Sequence, residues 1–199
     1  MHDEEDSLYA ERSQPGPEVR RGPRVVAAVD GSAGSRAALR FALEDAARRG
    51  VPVEAVIAYR SPDFRSDFTG LGRVDEERML STMRTQHEDT AHGVVREVTR
   101  EMTGPVPEVH VRAVMGTPSG VLVRESEGAD LLVVGSRGHG GFHSMLLGST
   151  SIQCTTHATC PVTVVHSPEA RRHRLRLHRE RRREAESVAG ERSGAGVAS

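Results

Sequence analysis

The chain has 199 residues, 28% of them charged and 36% hydrophobic, a formal net charge of −1 and no lysine. That length suits one domain of ordinary size with tails, enough to bury a real core. Without lysine a Walker-type phosphate loop is excluded, because Gly-x4-Gly-Lys requires the amine. No apolar run approaches the length of a membrane span. The N-terminus is acidic and lacks the apolar segment of a secretory signal, so the expected location is cytoplasmic. Cys154 and Cys160 are then expected to be buried, inert thiols and not a structural disulfide.

Residues 1–22 open with MHDEEDSLYAE and contain prolines but no sustained apolar period, which predicts a disordered acidic leader. The domain is expected to span residues 23–166. Arg24 to Asp30, RVVAAVD, is a nearly continuous apolar run ending in a carboxylate, the pattern of a parallel strand buried on both faces. Gly31 to Ser35 turns the chain, with Ser32 or Ser35 as helix N-cap. Leu39, Ala42, Leu43 and Ala46 mark the apolar face of the helix, and Gly50 closes it. Val53 to Tyr59 is the second strand, and a polar loop with Pro62, Gly70 and Gly72 follows.

From about Asp75 to Met102, the positions Leu80, Met83, Ala91, Val94, Val98 and Met102 keep helical spacing, with His87 and His92 at the surface or margin. Val109 to Val114 is the third strand. Gly116-Thr117-Pro118 turns into a short helix over Ser119 to Glu127, Leu131 to Val134 is the fourth strand, and Pro161 to Val165 is the fifth. Strands alternating with helices predict an α/β domain with a parallel sheet and helices on both faces.

Between the fourth and fifth strands lies LLVVGSRGHGGFHSMLLGSTS, residues 131–151. An apolar strand, a glycine-rich loop and a helix start follow one another, which is how a phosphate site is built. Glycines at 135, 138, 140 and 141 allow close approach of an anion to main-chain N–H groups. The helix beginning at Ser149, after Gly148, adds unpaired N–H groups and the positive end of its dipole, and Ser149 and Thr150 add hydroxyls. Arg137, His139 and His143 could screen phosphate charge or be solvated loop residues. The two histidines do not share a face on a glycine-rich loop, so no metal site is expected there.

The spacing Gly135-x2-Gly138-x9-Gly148-Ser149 resembles the nucleotide-binding signature of the universal stress protein family, in its ATP-binding branch. VAAVDGS, VMGTP and CPVTVV are similar to that family's first strand and turn, its turn after strand three, and its closing strand. The resemblance covers about residues 23–166. It implies a single five-stranded parallel sheet of order 3-2-1-4-5, adenine nucleotide alpha-hydrolase-like, with Asp30 and the glycine loop facing one crevice. It further implies that Asp30 contacts the nucleoside or a metal-phosphate group, that the chain at Ala58 and Tyr59 meets adenine, and that Gly116 lines the base and ribose side. Gly135, Arg137, Gly138, Gly148, Ser149 and Thr150 would hold ribose and phosphates. Thr150 stands where an aliphatic residue is common in the family.

Asp30 could instead serve as an Asx cap of its own turn. No second carboxylate is linked by motif to Asp30 and Arg137, so binding is expected and any ATP hydrolysis would be slow. The expected cofactor is ATP, with ADP or AMP as alternatives, with or without Mg²⁺. The resemblance implies a homodimer through the edge strand Val162 to Val165. Residues 167–199 carry nine Arg against five Glu and no aromatic residue, which predicts a solvated, disordered or partly helical arm, with nucleic acid or an acidic partner as the alternative. Three functions stay open: a nucleotide-binding stress-response regulator, a slow Mg²⁺-dependent ATP hydrolase, and a dimeric interaction protein using its arginine-rich tail.

Overall fold

The structure, a computed structural model, describes residues 22–60, 73–138 and 147–168, with backbone alone at 73–76. The leader, the loop holding Pro62, Gly70 and Gly72, the glycines at 140 and 141, His139 and His143, and the arginine-rich tail lie outside the described residues.

The elements in chain order are β1 (Val25–Ala28), α1 (Ala33–Arg49), β2 (Val53–Tyr59), α2 (Arg73–Arg100), β3 (Val109–Met115), α3 (Pro118–Glu125), β4 (Leu131–Gly135), α4 (Ser149–His157) and β5 (Val162–Val165). The five strands form one parallel sheet in the order β3-β2-β1-β4-β5. This is the predicted order, and it puts β1 beside β4 with the connections departing in opposite directions, the topological switch point of an open α/β sheet.

Side-chain alternation along the central strands explains the layers. Val25, Ala27 and Val29 join Ala55, Ile57 and Tyr59 under α1 and α2, against Leu39, Leu43, Ala91, Val94 and Val98. Val26 and Val56 point the other way, with Leu132, Val134, Val121, Leu122 and Cys154 under α3 and α4. Because both faces are covered, the strands carry apolar residues at consecutive positions. Of the long helix's predicted face, Ala91, Val94 and Val98 are buried, and Met83 and Met102 pack partly exposed at its margin.

Element ends differ from expectation by local hydrogen bonding. β1 is shorter than its apolar run because Asp30 already belongs to the turn, although Val29 N–H still bonds the Val56 carbonyl at 2.8 Å. α2 ends at Arg100 because Glu101 and Met102 bond back three residues, to Val98 and Thr99, each at 3.2 Å. α3 starts one residue earlier than expected, at Pro118, with Thr117 as N-cap, and ends where the Ser126 hydroxyl donates to the Val123 carbonyl at 2.6 Å. Cys154 is fully buried as expected, whereas Cys160 is only half-buried, because it precedes the edge strand and has no layer outside it. Burial pushes both thiols up, Cys154 to about 11.

The N-terminal ends of the strands hold a network that hydrophobic patterning does not reveal. Arg24, Glu54, Arg112 and Glu125 are all buried. Glu54 accepts from Arg24 Nε at 2.9 Å and from Arg112 Nη1 at 2.7 Å, and Glu125 accepts from Arg112 Nη1 at 2.6 Å. Burial alone would pull the Arg112 guanidinium down, but the Glu54 and Glu125 carboxylates outweigh it and hold the group above its usual range. Arg24 also donates to the carbonyls of Glu125 and Glu127, at 2.9 and 3.2 Å. The network thus joins β1, β2 and β3 to the end of α3, at the end of the sheet opposite the predicted site.

Candidate functional site

At the carboxyl ends of β1 and β4 the chain is in unusually close contact with itself. Gly34, in the first turn of α1, lies against the segment leaving β4: a Cβ on it would stand 2.1 Å from the Arg137 carbonyl oxygen. A Cβ on Gly135 would stand 2.6 Å from the Gly34 carbonyl carbon, and one on Gly138 would stand 2.3 Å from Asp30 Oδ2. Real Cβ contacts are not this short; at Gly34 and Gly135 the neighbour is main chain, so glycine is required there by proximity, whereas at Gly138 a side chain would have to displace the Asp30 carboxylate. The turn after β1 and the start of the glycine loop form one interlocked unit.

The N-terminus of α4 is attached to the same unit. Gly148 N–H donates to the Ser136 carbonyl at 2.8 Å, and the buried Ser151 hydroxyl donates to the Gly135 carbonyl at 2.7 Å. Gly148 is the N-cap and no side chain caps the helix among the described residues, so N–H groups of its first turn remain for another acceptor. Two other helices differ: Ser32 caps α1 by accepting from Ser35 N–H at 3.1 Å, and Thr117 caps α3 by accepting from Gly120 N–H at 3.3 Å. Arg137 lies at this junction, and its Nε is buried without a hydrogen-bond partner among the described residues.

Asp30 is exposed at the mouth of the crevice. Its Oδ1 accepts from Ser32 N–H at 2.9 Å, so the Asx-cap geometry is present. Arg36, one turn into α1, donates to the neighbouring Gly31 carbonyl and, through Nε, to the Glu97 carboxylate of α2 at 3.0 Å.

The predicted base-side residues form a second group, one strand over from β1. Gly116 N–H donates to the Tyr59 carbonyl at 2.8 Å, so these two are joined directly. Gly116 has φ +147°, and a Cβ there would be 2.9 Å from Val121 Cγ2. Ala58 faces the α3/α4 layer, whereas the Tyr59 ring is buried under α2 and stacks on His87 with centroids 4.9 Å apart and an interplanar angle of 21°. Burial raises the Tyr59 phenol; Arg84 opposes this and Glu88 adds to it. His87, expected at the helix surface or margin, is therefore partly buried against an aromatic ring.

Asp30, Gly135, Arg137, Gly138 and Gly148 are thus assembled at one junction, with Ser149 and Thr150 opening the helix attached to it. Ala58, Tyr59 and Gly116 line the neighbouring strand ends. Sequence reasoning missed Gly34, Ser136, Ser151 and Arg36. Only Gly34 carried a visible signal, since GSAGS places a glycine where a helix would ordinarily take alanine. Among the described residues no group of three or more His, Cys, Asp or Glu could hold a metal ion, and no helix is long and apolar enough to cross a membrane.

Comparison with known proteins agrees with this architecture. The fold is shared with the universal stress protein UspA from Lactobacillus plantarum, at a TM-score of 0.58 and 23% identity, covering 73% of this chain and 99% of that one. The protein MJ0577 gives a TM-score of 0.57 at 19% identity, covering 74% of this chain and 97% of that one. In sequence, a universal stress protein of Mycolicibacterium smegmatis is 34% identical over 143 residues, 71% of this chain and 45% of its own length. Universal stress protein Rv2005c of Mycobacterium tuberculosis is 33% identical over 152 residues, 73% of this chain and 48% of its own. The chain spans about half the length of these relatives. Residues 23–166 match the model of the universal stress protein family, and the chain belongs to that family.

Proposed function

We propose that this protein binds an adenine nucleotide, ATP in the first instance, at the carboxyl end of its sheet, and acts as a nucleotide-dependent regulatory module in stress response. The observation that carries the reading is the junction at Gly148. A helix N-terminus without a side-chain cap and an arginine whose buried Nε is unpaired, both among the described residues, converge there with a glycine loop start pressed against Asp30. Such an arrangement suits a multiply charged anion: main-chain N–H groups and the helix dipole meet the phosphates, and Arg137 supplies the positive charge that lysine would supply elsewhere.

In this reading Gly135, Arg137, Gly138, Gly148, Ser149 and Thr150 hold ribose and phosphates. Asp30 meets the nucleoside or a phosphate-bound Mg²⁺, and the backbone at Ala58, Tyr59 and Gly116 forms the base side. Bound nucleotide would alter the surface offered to partners. The test is mass spectrometry of small molecules released by denaturing the purified chain, with Gly138→Val as control. Adenine nucleotide in the parent alone supports the reading. An empty parent that also fails to bind ATP by titration overturns it.

We further propose a homodimer through β5. The strand is at the sheet edge, and all four of its residues are only half-buried in the single chain, unlike those of the central strands. An apolar edge of this kind is an association surface.

A further inference from the structure

We infer that His87 is a positioning residue for the base side of the nucleotide site, acting through the ring of Tyr59; the inference rests on the nucleotide-binding reading above. Its starting point is a chain of three contacts joining the middle of α2 to the ends of β2 and β3. His87 Nδ1–H donates to the Met83 carbonyl at 2.7 Å, which orients the imidazole on its own helix. The oriented ring stacks on Tyr59 at 4.9 Å. Tyr59 in turn accepts the Gly116 N–H at 2.8 Å through its own carbonyl. Both base-side strand ends are therefore bonded to one residue, and the ring of that residue is held by His87.

The stack is placed to control backbone position and not merely to fill space. Tyr59 is the last residue of β2, so its main chain has ladder support on the N-terminal side and leads on the other into Arg60 and the polar loop. Its side chain, 8% exposed, is the anchor for that end. Aromatic stacking is directional, with preferred ring geometries. Arg84 and Glu88, each one residue C-terminal to Met83 and His87, pair with each other at 3.1 Å and both act electrostatically on the phenol. One face of α2 thus gathers around the Tyr59 side chain.

The experiment is isothermal titration of ATP into the full chain and three variants: His87→Ala, His87→Phe, and Val98→Ala, which thins the core under the same helix away from the stack. His87→Ala is expected to weaken ATP roughly three- to tenfold, the range of a lost aromatic pair. His87→Phe, which keeps a ring, should restore affinity to within about twofold of the parent. Val98→Ala should lower the melting temperature while leaving affinity near that of the parent. A spectroscopic readout accompanies this. The chain has two tyrosines and no tryptophan, so in a Tyr9→Phe background the emission is that of Tyr59 and should change on His87→Ala even without ATP. Parental affinity in His87→Ala, or an equal loss in Val98→Ala, overturns the inference while leaving nucleotide binding intact. A parent chain that binds no ATP overturns the nucleotide reading itself, and the role of His87 with it.

Discussion

Gly34 and Arg137 are in such close contact that a single methyl group on the glycine would stand 2.1 Å from the arginine's carbonyl oxygen. The first turn of α1 is thereby seated against the segment leaving β4, and the turn bearing Asp30 is brought to the same place. Since the neighbour is main chain, it cannot swing away as a side-chain terminus could. Gly34→Ala is expected to destabilise the fold by about 1–3 kcal/mol, the usual range for overpacking. It should also weaken ATP binding by displacing Arg137. Urea unfolding and titration of the same sample check both effects.

Gly138 and Asp30 offer a test of coupling. A Cβ at Gly138 would meet Asp30 Oδ2 at 2.3 Å, so Gly138→Ala forces the carboxylate or the loop to move. Asp30→Ala removes the obstacle together with the Asx bond to Ser32. The two substitutions are expected to be non-additive by about 0.5–3 kcal/mol, the double variant being more stable than the sum predicts. A double-mutant cycle in urea measures this.

At the other end of the sheet, Arg112→Met leaves Glu125 buried without its guanidinium and Glu54 with Arg24 alone. Uncompensated buried charge predicts a loss of about 3–5 kcal/mol. The network is remote from the glycine loop, so ATP affinity of the folded fraction should stay unchanged. Denaturant titration followed by calorimetric binding below the unfolding range separates the two.

The thiols set an alkaline limit. Burial raises Cys154 from 9.0 to about 11, so the folded chain holds this proton more tightly than the unfolded chain does. The resulting stability is fully present below pH 9 and is lost as pH rises through 11, by roughly 3 kcal/mol at most. Cys154→Ala should flatten that slope in unfolding curves taken between pH 8.5 and 11. At neutral pH, thiol reagents should label half-buried Cys160 well before Cys154.

If β5 joins two copies, a charge on its exposed edge should separate them. Thr163→Lys is expected to convert a dimer to a monomer in sedimentation velocity at micromolar concentration, with the helical circular dichroism signal retained. A parent chain that already sediments as a monomer would refute the edge-pairing proposal.

Much of the fold was legible because each central strand is covered on both faces. That produces apolar runs such as VVAA and LLVVG which cannot be mistaken for polar-faced strands, and glycines or capped turns punctuate them. The sheet order was legible only through resemblance to a family, since strand sequence does not state which strands pair. The buried Arg24–Glu54–Arg112–Glu125 network was not legible. A charge in a strand reads as solvent-facing until its partners, drawn from three other elements, are known.

The candidate site divides in the same way. Sequence by itself determined the glycine spacing, the helix start at Gly148 to Thr150, the carboxylate at the end of the first strand and the lack of any lysine to meet phosphate. These are properties of neighbouring residues, and local backbone chemistry is enough to read them. Only the tertiary structure decided that Gly34 must be glycine because Arg137 lies on it, that Ser151 bonds the Gly135 carbonyl, and that Tyr59 rests on His87. Each of those depends on residues separated by 16 positions or more in the chain, and a contact at that separation exists only once the sheet has closed and its helices have packed.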